Sequence, residues 1–291
     1  MDKYLFILSP NNSGSSMLYK YLMRCKHIVA LRNKNDISEE GQTVILAKTK
    51  DCKGQILTDE NYDIIKRINH FKNCPKCFGL LPMPHENIWD CSRVCVEKRH
   101  VFEDETKYNW DEIKRIWDAE WAKNVSYNEK DRIFLEKSTS DILRPHLYQK
   151  SFKNVYFLGL VRNPYAVCEG IHRRNKYAWG RCVRQWVETA EKQIENIDAL
   201  DNIAWFRYED LCEKPYEVAN KIREMLPELY DIDFSGEVKV HALDGIKIRG
   251  IINLNSKQIG NLSKENIAEI NTYLVPFHHV LERFGYEVLV Y

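Results

Sequence analysis

The sequence predicts an α/β fold of three layers, a mostly parallel central sheet flanked by helices. Three observations predict it. Short runs of β-formers at residues 4–8, 133–135, 155–161 and 203–206 are each followed by a helical pattern, and strands alternating with helices specify a parallel sheet covered on both faces. The length of 291 residues falls near the roughly 250–300 residues at which one core stops growing, so one large domain is expected. A hydrophobic fraction of 44% with only 12 Gly and 9 Pro excludes disordered, collagenous and low-complexity classes.

In order along the chain, KYLFILS reads as a buried strand, the Gly/Ser turn behind it as a tight loop, and SSMLYKYLMRC as a helix. Two helical stretches are predicted between residues 162 and 200. The second, at about 179–197, places Val183, Trp186, Val187, Ala190 and Ile194 on one face. Near the C-terminus Ile267, Ile270, Leu274, Phe277, Leu281 and Phe284 step by three and four behind Ser263 as N-cap, which predicts a helix packed on the sheet. The stretch of about 51–131 breaks the rhythm. It holds five of the nine cysteines and many aromatics, with helices predicted near 62–71 and 111–121, and is expected to be an insertion within a single domain spanning 1–291.

Lys plus Arg at 43 against Asp plus Glu at 42 leaves a net charge of +1. Such a balance gives no field to draw in nucleic acid or an anionic membrane, so no nucleic-acid partner is expected and any anion must be met by a local site. The N-terminal apolar run is too short for a signal segment, and no stretch reaches the length of a membrane span. The expected location is therefore cytoplasmic. An odd cysteine count in a chain of this size points to thiols or thiolate ligands over a disulfide framework.

Ser13-Gly14-Ser15-Ser16 stands where the first strand turns into the first helix. Backbone N–H groups and hydroxyls gathered at a helix N-terminus bind phosphate or sulfate; a Ser-rich cap with no ligand has the same pattern. It is not a Walker A loop, because no Lys occurs between Lys3 and Lys20.

Several ordered blocks together resemble the sulfotransferases that use 3′-phosphoadenosine 5′-phosphosulfate (PAPS). LFILSPNNSGSSML is similar to their 5′-phosphosulfate loop, and VYFLGLVRNPYAVCEGI to their strand-turn-helix for the 3′-phosphate. FLEKSTSDILR resembles the EK[ST]P segment, WFRYEDL the YED segment, and NLSKENIAEIN with LERFGYE the C-terminal helix. The blocks cover about half of the chain and leave out 51–131. The resemblance implies a P-loop NTPase-like sulfotransferase fold with a Cys-rich insertion. It also implies transfer of a sulfuryl group from PAPS, leaving PAP, to a hydroxyl or amine of a small-molecule, saccharide or peptide acceptor.

Residue by residue, the resemblance gives Asn12, Ser13, Gly14, Ser15 and Ser16 to the 5′-phosphosulfate. Lys137 becomes the preorganised cation on the transferring group, and the ISEEGQ string supplies the base, Glu40 first and Glu39 beside it. Arg162 reaches the 3′-phosphate with a charge-assisted fork. Gly170 and Tyr208 belong to the same donor site, and Lys247 and Arg249 resemble a basic loop over the 3′-phosphate. Two departures stand out: Asn12 replaces a common Arg or Lys, and Gly170 replaces a Ser. Each lost charged hydrogen bond costs about 1.5–3 kcal/mol. Either Lys137, Arg173 or Arg174 compensates, or donor binding is weak or activity lost.

Cys74-Pro-Lys-Cys77, thirteen residues, and then Cys91-Ser-Arg-Val-Cys95 suit tetrahedral thiolate coordination of a structural zinc. Four unligated thiols are the alternative, and Cys52, His70, His85 and His100 could replace one ligand. Trp110, Trp117 and Trp121 would suit a sugar or phenolic acceptor, but their helical spacing also fits core packing. Two rival functions remain: a P-loop kinase or nucleotide hydrolase with an altered phosphate loop, and an inactive PAP-binding or zinc-knuckle recognition protein.

Overall fold

The computed structural model describes residues 1–10, 12–32, 40, 41, 44, 110–125, 131–138, 141–242 and 245–290. Five parallel strands form the central sheet: β1 (Lys3–Leu8), β2 (Ile28–Ala30), β3 (Ile133–Glu136), β4 (Val155–Val161) and β5 (Ile203–Arg207), in the order β2-β3-β1-β4-β5. β1 therefore lies between β3 and β4, with Phe6 opposite Glu136 and Leu8 opposite Gly159. Because side chains alternate along a strand, Leu5 and Ile7 join one hydrophobic cluster while Tyr4, Phe6 and Leu8 join another on the opposite face.

The Leu5 face is covered by α1 (Ser15–Leu22), α6 (Tyr208–Glu213) and α7 (Pro215–Met225). The Phe6 face is covered by α2 (Trp110–Ala122) and α3 (Pro145–Ser151), where Phe6 stacks on Tyr148 at 4.0 Å and Trp117 lies 6.0 Å from Phe152. Beyond β4 this layer continues as α4 (Pro164–Asn175), α5 (Trp179–Ala199), α9 (Lys264–Leu274) and α10 (His278–Phe284). Each fully buried large apolar side chain contributes about 1.5–3 kcal/mol, so the two faces together hold the three layers.

The four predicted strands and the Ser263 cap form as expected. The Ser263 hydroxyl accepts the Asn266 amide, and Asn266 reciprocates. Where one C-terminal helix was predicted there are two, because Pro276 sits in a 3-10 turn over Val275–Phe277 and cannot donate to a continuing helix. The three-residue β2 was not predicted, nor was an antiparallel hairpin of β6 (Val238–Ala242) and β7 (Gly245–Arg249). α2 comes from the stretch expected to be an insertion, and its Trp117 and Trp121 are core residues. The predicted helix at 62–71 and the cysteines at 52, 74, 77, 91 and 95 lie outside the described residues. Cys25, Cys168, Cys182 and Cys212 are free thiols.

No helix among the described residues is long and apolar enough to cross a membrane.

Candidate functional site

Three loops leave the carboxyl edge of the adjacent strands β3, β1 and β4, the edge at which ligands bind in open α/β sheets. The central loop, after β1, turns through Asn12 at φ 61° and Gly14 at φ 93°. Asn tolerates this left-handed backbone better than most residues. The amides of Met17 and Leu18 both turn back to the Gly14 carbonyl, at 2.9 and 3.2 Å. Those of Gly14, Ser15 and Ser16 donate to no acceptor among the described residues, and no acidic side chain stands in the first turn. These N–H groups and the helix dipole favour an anion. The Ser13 hydroxyl donates to the Pro10 carbonyl at 2.5 Å and so braces the loop, while Ser16 is exposed.

On one flank, after β4, Arg162 is 5% exposed. Its Nε donates to Asn255 Oδ1 and its Nη1 to the Asn12 carbonyl, each at 2.8 Å, and its Nη2 donates to Gln258 Oε1. Asn255 and Gln258 come from α8 (Asn255–Ile259). The guanidinium lies 4.1 Å over the Tyr208 ring, which also packs on Gly14. Tyr208 donates to the Ile252 carbonyl at 2.6 Å and accepts the Leu254 amide at 3.3 Å, so it underpins the loop. Burial holds the Arg162 pKa below its ordinary value and pushes Tyr208 up to about 12. All three hydrogen-bond partners of Arg162 are neutral oxygens, and the carboxylate that acts on it, Glu209, is held by the side chain of its partner Asn255, so the guanidinium has no direct ion pair among the described residues.

On the other flank, after β3, Lys137 Nζ donates to Glu40 Oε1 at 2.7 Å, with the lysine side chain 5% and the glutamate 17% exposed. Behind this pair Glu136 is fully buried; its Oε1 accepts the Gly41 amide at 2.7 Å and the Ser138 hydroxyl at 2.6 Å. The Ser138 amide donates to Asp141 Oδ2 at 2.7 Å, and Tyr148 donates to Asp141 Oδ1 at 2.7 Å. Burial first, and then the charge of Glu136, hold the Asp141 carboxyl well above the usual carboxylate range.

The structure thus brings together Lys137 with Glu40, and Asn12 and Gly14 with Arg162 and Tyr208. Gly170 joins the second group: a Cβ added there would lie 3.1 Å from Gln258 Nε2 and 3.4 Å from Asn12 Cγ. Lys247 and Arg249 stand on β7, opposite Val240 and Val238, because the alternation in IKIR pairs as a strand and not as the loop the resemblance implied. Arg173 pairs with Glu169 at 2.9 Å, and Arg174 is exposed. Glu39 and the cysteine set Cys74, Cys77, Cys91 and Cys95 fall outside the described residues; among the described residues no group of His, Cys, Asp or Glu could hold a metal ion. Trp117 and Trp121 are buried, with their indoles donating to the Gly41 and Leu135 carbonyls. Sequence reasoning missed Asn255 and Gln258, whose one signal is amides three apart on a short helix, and it missed Glu136, Gly41 and Asp141 as partners of the lysine segment.

Comparison with solved structures gives sulfotransferases. The sulfotransferase domain from the curacin biosynthetic pathway is 17% identical with a TM-score of 0.53, covering 99% of each chain. The sulfotransferase domain from the Synechococcus PCC 7002 olefin synthase is 15% identical with a TM-score of 0.50, covering 99% of this chain and 96% of that one. Sulfotransferase STF9 from Mycobacterium avium is 10% identical with a TM-score of 0.53, covering 99% and 78%. No protein-family model and no curated protein matches the sequence. At these identities the likeness establishes the fold: the chain has the α/β architecture of the sulfotransferases.

Proposed function

We propose that this protein is a sulfotransferase that moves a sulfuryl group from PAPS to an acceptor hydroxyl or amine. The observation that carries the reading is the Lys137–Glu40 pair at 2.7 Å on the sheet edge beside an open helix N-terminus. PAPS carries anions at two ends, and the chain offers two anion-seeking groups flanking one loop: the amides of Gly14, Ser15 and Ser16, and the buried Arg162 with neutral partners only. The chemistry of the donor set fits. When bound, PAPS supplies a sulfuryl group on a phosphate leaving group. Glu40 takes the proton of the acceptor, and Lys137 holds positive charge where oxygens become more anionic, a term already oriented before reaction.

One observation favours a second reading, an inactive scaffold: Arg162 already gives three of its N–H groups to Asn255, Asn12 and Gln258. A thermal-shift panel of PAP, PAPS, ATP with Mg²⁺, and a zinc chelator separates the readings. Stabilisation by PAP that is lost in Arg162→Ala supports the donor site; greater stabilisation by ATP with Mg²⁺ overturns it in favour of a kinase. Glu40→Gln should keep the response to PAP and lose sulfuryl transfer by about 10²–10⁴-fold, the usual contribution of a general base. Unchanged turnover in that variant would remove Glu40 from its role. A drop in melting temperature with chelator supports a structural zinc on Cys74, Cys77, Cys91 and Cys95.

A further inference from the structure

Glu136 makes its hydrogen bonds to two residues, and each is the neighbour of one member of the Lys137–Glu40 pair. A single oxygen, Oε1, accepts the amide of Gly41 at 2.7 Å and the hydroxyl of Ser138 at 2.6 Å. Successive residues at the end of β3 thus grip successive residues of the incoming segment: Lys137 takes the Glu40 side chain and Glu136 takes the Gly41 backbone. From the other side Trp117 Nε1 donates to the Gly41 carbonyl at 3.0 Å. Gly41 is fixed at both its N–H and its C=O, with no room to spare. A Cβ there would lie 2.7 Å from Glu136 Oε1 and 2.7 Å from Trp117 Cε2. The second oxygen of Glu136 is buried with no N–H or hydroxyl donor, and the Glu136 carboxyl stands within hydrogen-bond reach of the Asp141 carboxyl. A core position gains nothing from such a group, since an apolar residue of similar volume is often neutral or stabilising there. What the carboxyl adds is geometry.

We propose that Glu136 is a positioning residue, holding Glu40 against Lys137 by clamping the Gly41 amide and the Ser138 hydroxyl on one oxygen. This rests on the reading of Glu40 as the base. The clamp depends on reach, so the isosteric glutamine, which retains an acceptor oxygen at that distance, should serve, and the shorter aspartate should not. A role of charge alone would reverse that order.

The test compares Glu136→Gln, Glu136→Asp and Gly41→Ala with the unaltered chain in three measurements. The first is the NMR resonance of the Trp117 indole N–H, assigned through Trp117→Phe, which reports the bond to Gly41 without any ligand. The second is PAP affinity by calorimetry. The third is hydrolysis of PAPS to PAP and sulfate with water as the acceptor: the sulfur–oxygen bond to phosphate breaks, one to the water oxygen forms, and the water proton passes through Glu40 to solvent.

Glu136→Asp and Gly41→Ala should shift the indole resonance and lower kcat by about a hundredfold, the cost of a misplacement near 1 Å, with PAP affinity kept within about threefold. Glu136→Gln should keep the resonance and retain kcat within about tenfold. Loss in Glu136→Gln with retention in Glu136→Asp overturns the proposal, as does unaltered kcat in Gly41→Ala. If Glu136→Asp does not fold, Gly41→Ala carries the test. If the unaltered chain binds no PAP, the sulfotransferase reading fails, and if it binds PAP but hydrolyses no PAPS, water does not serve as its acceptor; in both cases the clamp is judged by the indole alone, and an unmoved resonance in Gly41→Ala overturns it.

Discussion

Gly14 is constrained twice, by a φ of 93° and by the Tyr208 ring, whose Cδ2 would stand 2.6 Å from an added Cβ. A left-handed alanine costs about 1–3 kcal/mol before any clash is counted. Gly14→Ala should therefore lower unfolding stability by at least about 1 kcal/mol in urea titration and weaken PAP binding, because the ring and the loop must part. Gly170 makes the opposite case. A Cβ there meets a side-chain end, Gln258 Nε2, at 3.1 Å and no backbone atom, so a serine fits if that amide gives by a few tenths of an ångström against its bonds to Ala166 and Glu169. Asn12 and Gly170, the two positions where this chain departs from the sulfotransferase pattern it resembles, are neighbours, and a hydroxyl between them would lie beside Gln258, a partner of Arg162. Gly170→Ser should tighten PAP about tenfold, the lower end for a hydrogen bond to a charged group; calorimetry showing no gain would place the 3′-phosphate elsewhere. The importance of Gly14 was legible from its place in a Ser-rich turn. Its contact with Tyr208, nearly two hundred residues away in sequence, was not, because nothing local to either residue encodes it.

The strands were legible where hydrophobic runs are long, and β4, with its seven residues, is the clearest. β2 escaped because three residues carry too little pattern. The end of β3 was half legible: Lys137 stood out in the EKS string, whereas nothing in the sequence singled out Glu136 or Asp141. Tertiary packing buries them both, in the layer that holds Tyr148 and Trp117. That burial has a pH signature. With its folded-state pKa raised above the ordinary 3.8, Asp141 holds its proton longer in the folded chain than in the unfolded one. Its contribution is complete below about pH 4 and is lost as pH rises through the folded value. Asp141→Asn imitates the protonated acid and cannot ionise. Denaturation of both proteins over a pH series should give a difference curve that moves in favour of the variant as pH rises above about 4, whatever constant offset the altered Ser138 contact adds. A flat difference curve would mean that Asp141 is ionised in the folded chain.

Taken together, the site is a property of strand order. Lys137, the Ser-rich loop and Arg162 follow β3, β1 and β4, and they share one edge of the sheet because those strands are adjacent and parallel. Each was singled out by itself in the sequence; their place at one sheet edge follows from the fold class. The partners that hold Arg162 did not follow, since Asn255 and Gln258 arrive from a five-residue helix after the hairpin. Arg162 joins the loop after β1 through the Asn12 carbonyl, α6 through Tyr208 and α8 through both amides, so loop and helix act as one unit. Gln258 also donates to the Ala166 carbonyl at 3.1 Å and to Glu169 at 3.0 Å. Its removal should lower ligand-free stability by about 1–3 kcal/mol through the groups left unpaired. The same change returns an N–H of the guanidinium to whatever anion the site binds. Gln258→Ala should accordingly show a larger stabilisation by saturating PAP than the unaltered chain, read as the difference between denaturation curves with and without ligand. A smaller stabilisation would mean that the amide aids the anion, and that Arg162 needs its fork held open by α8 to receive it.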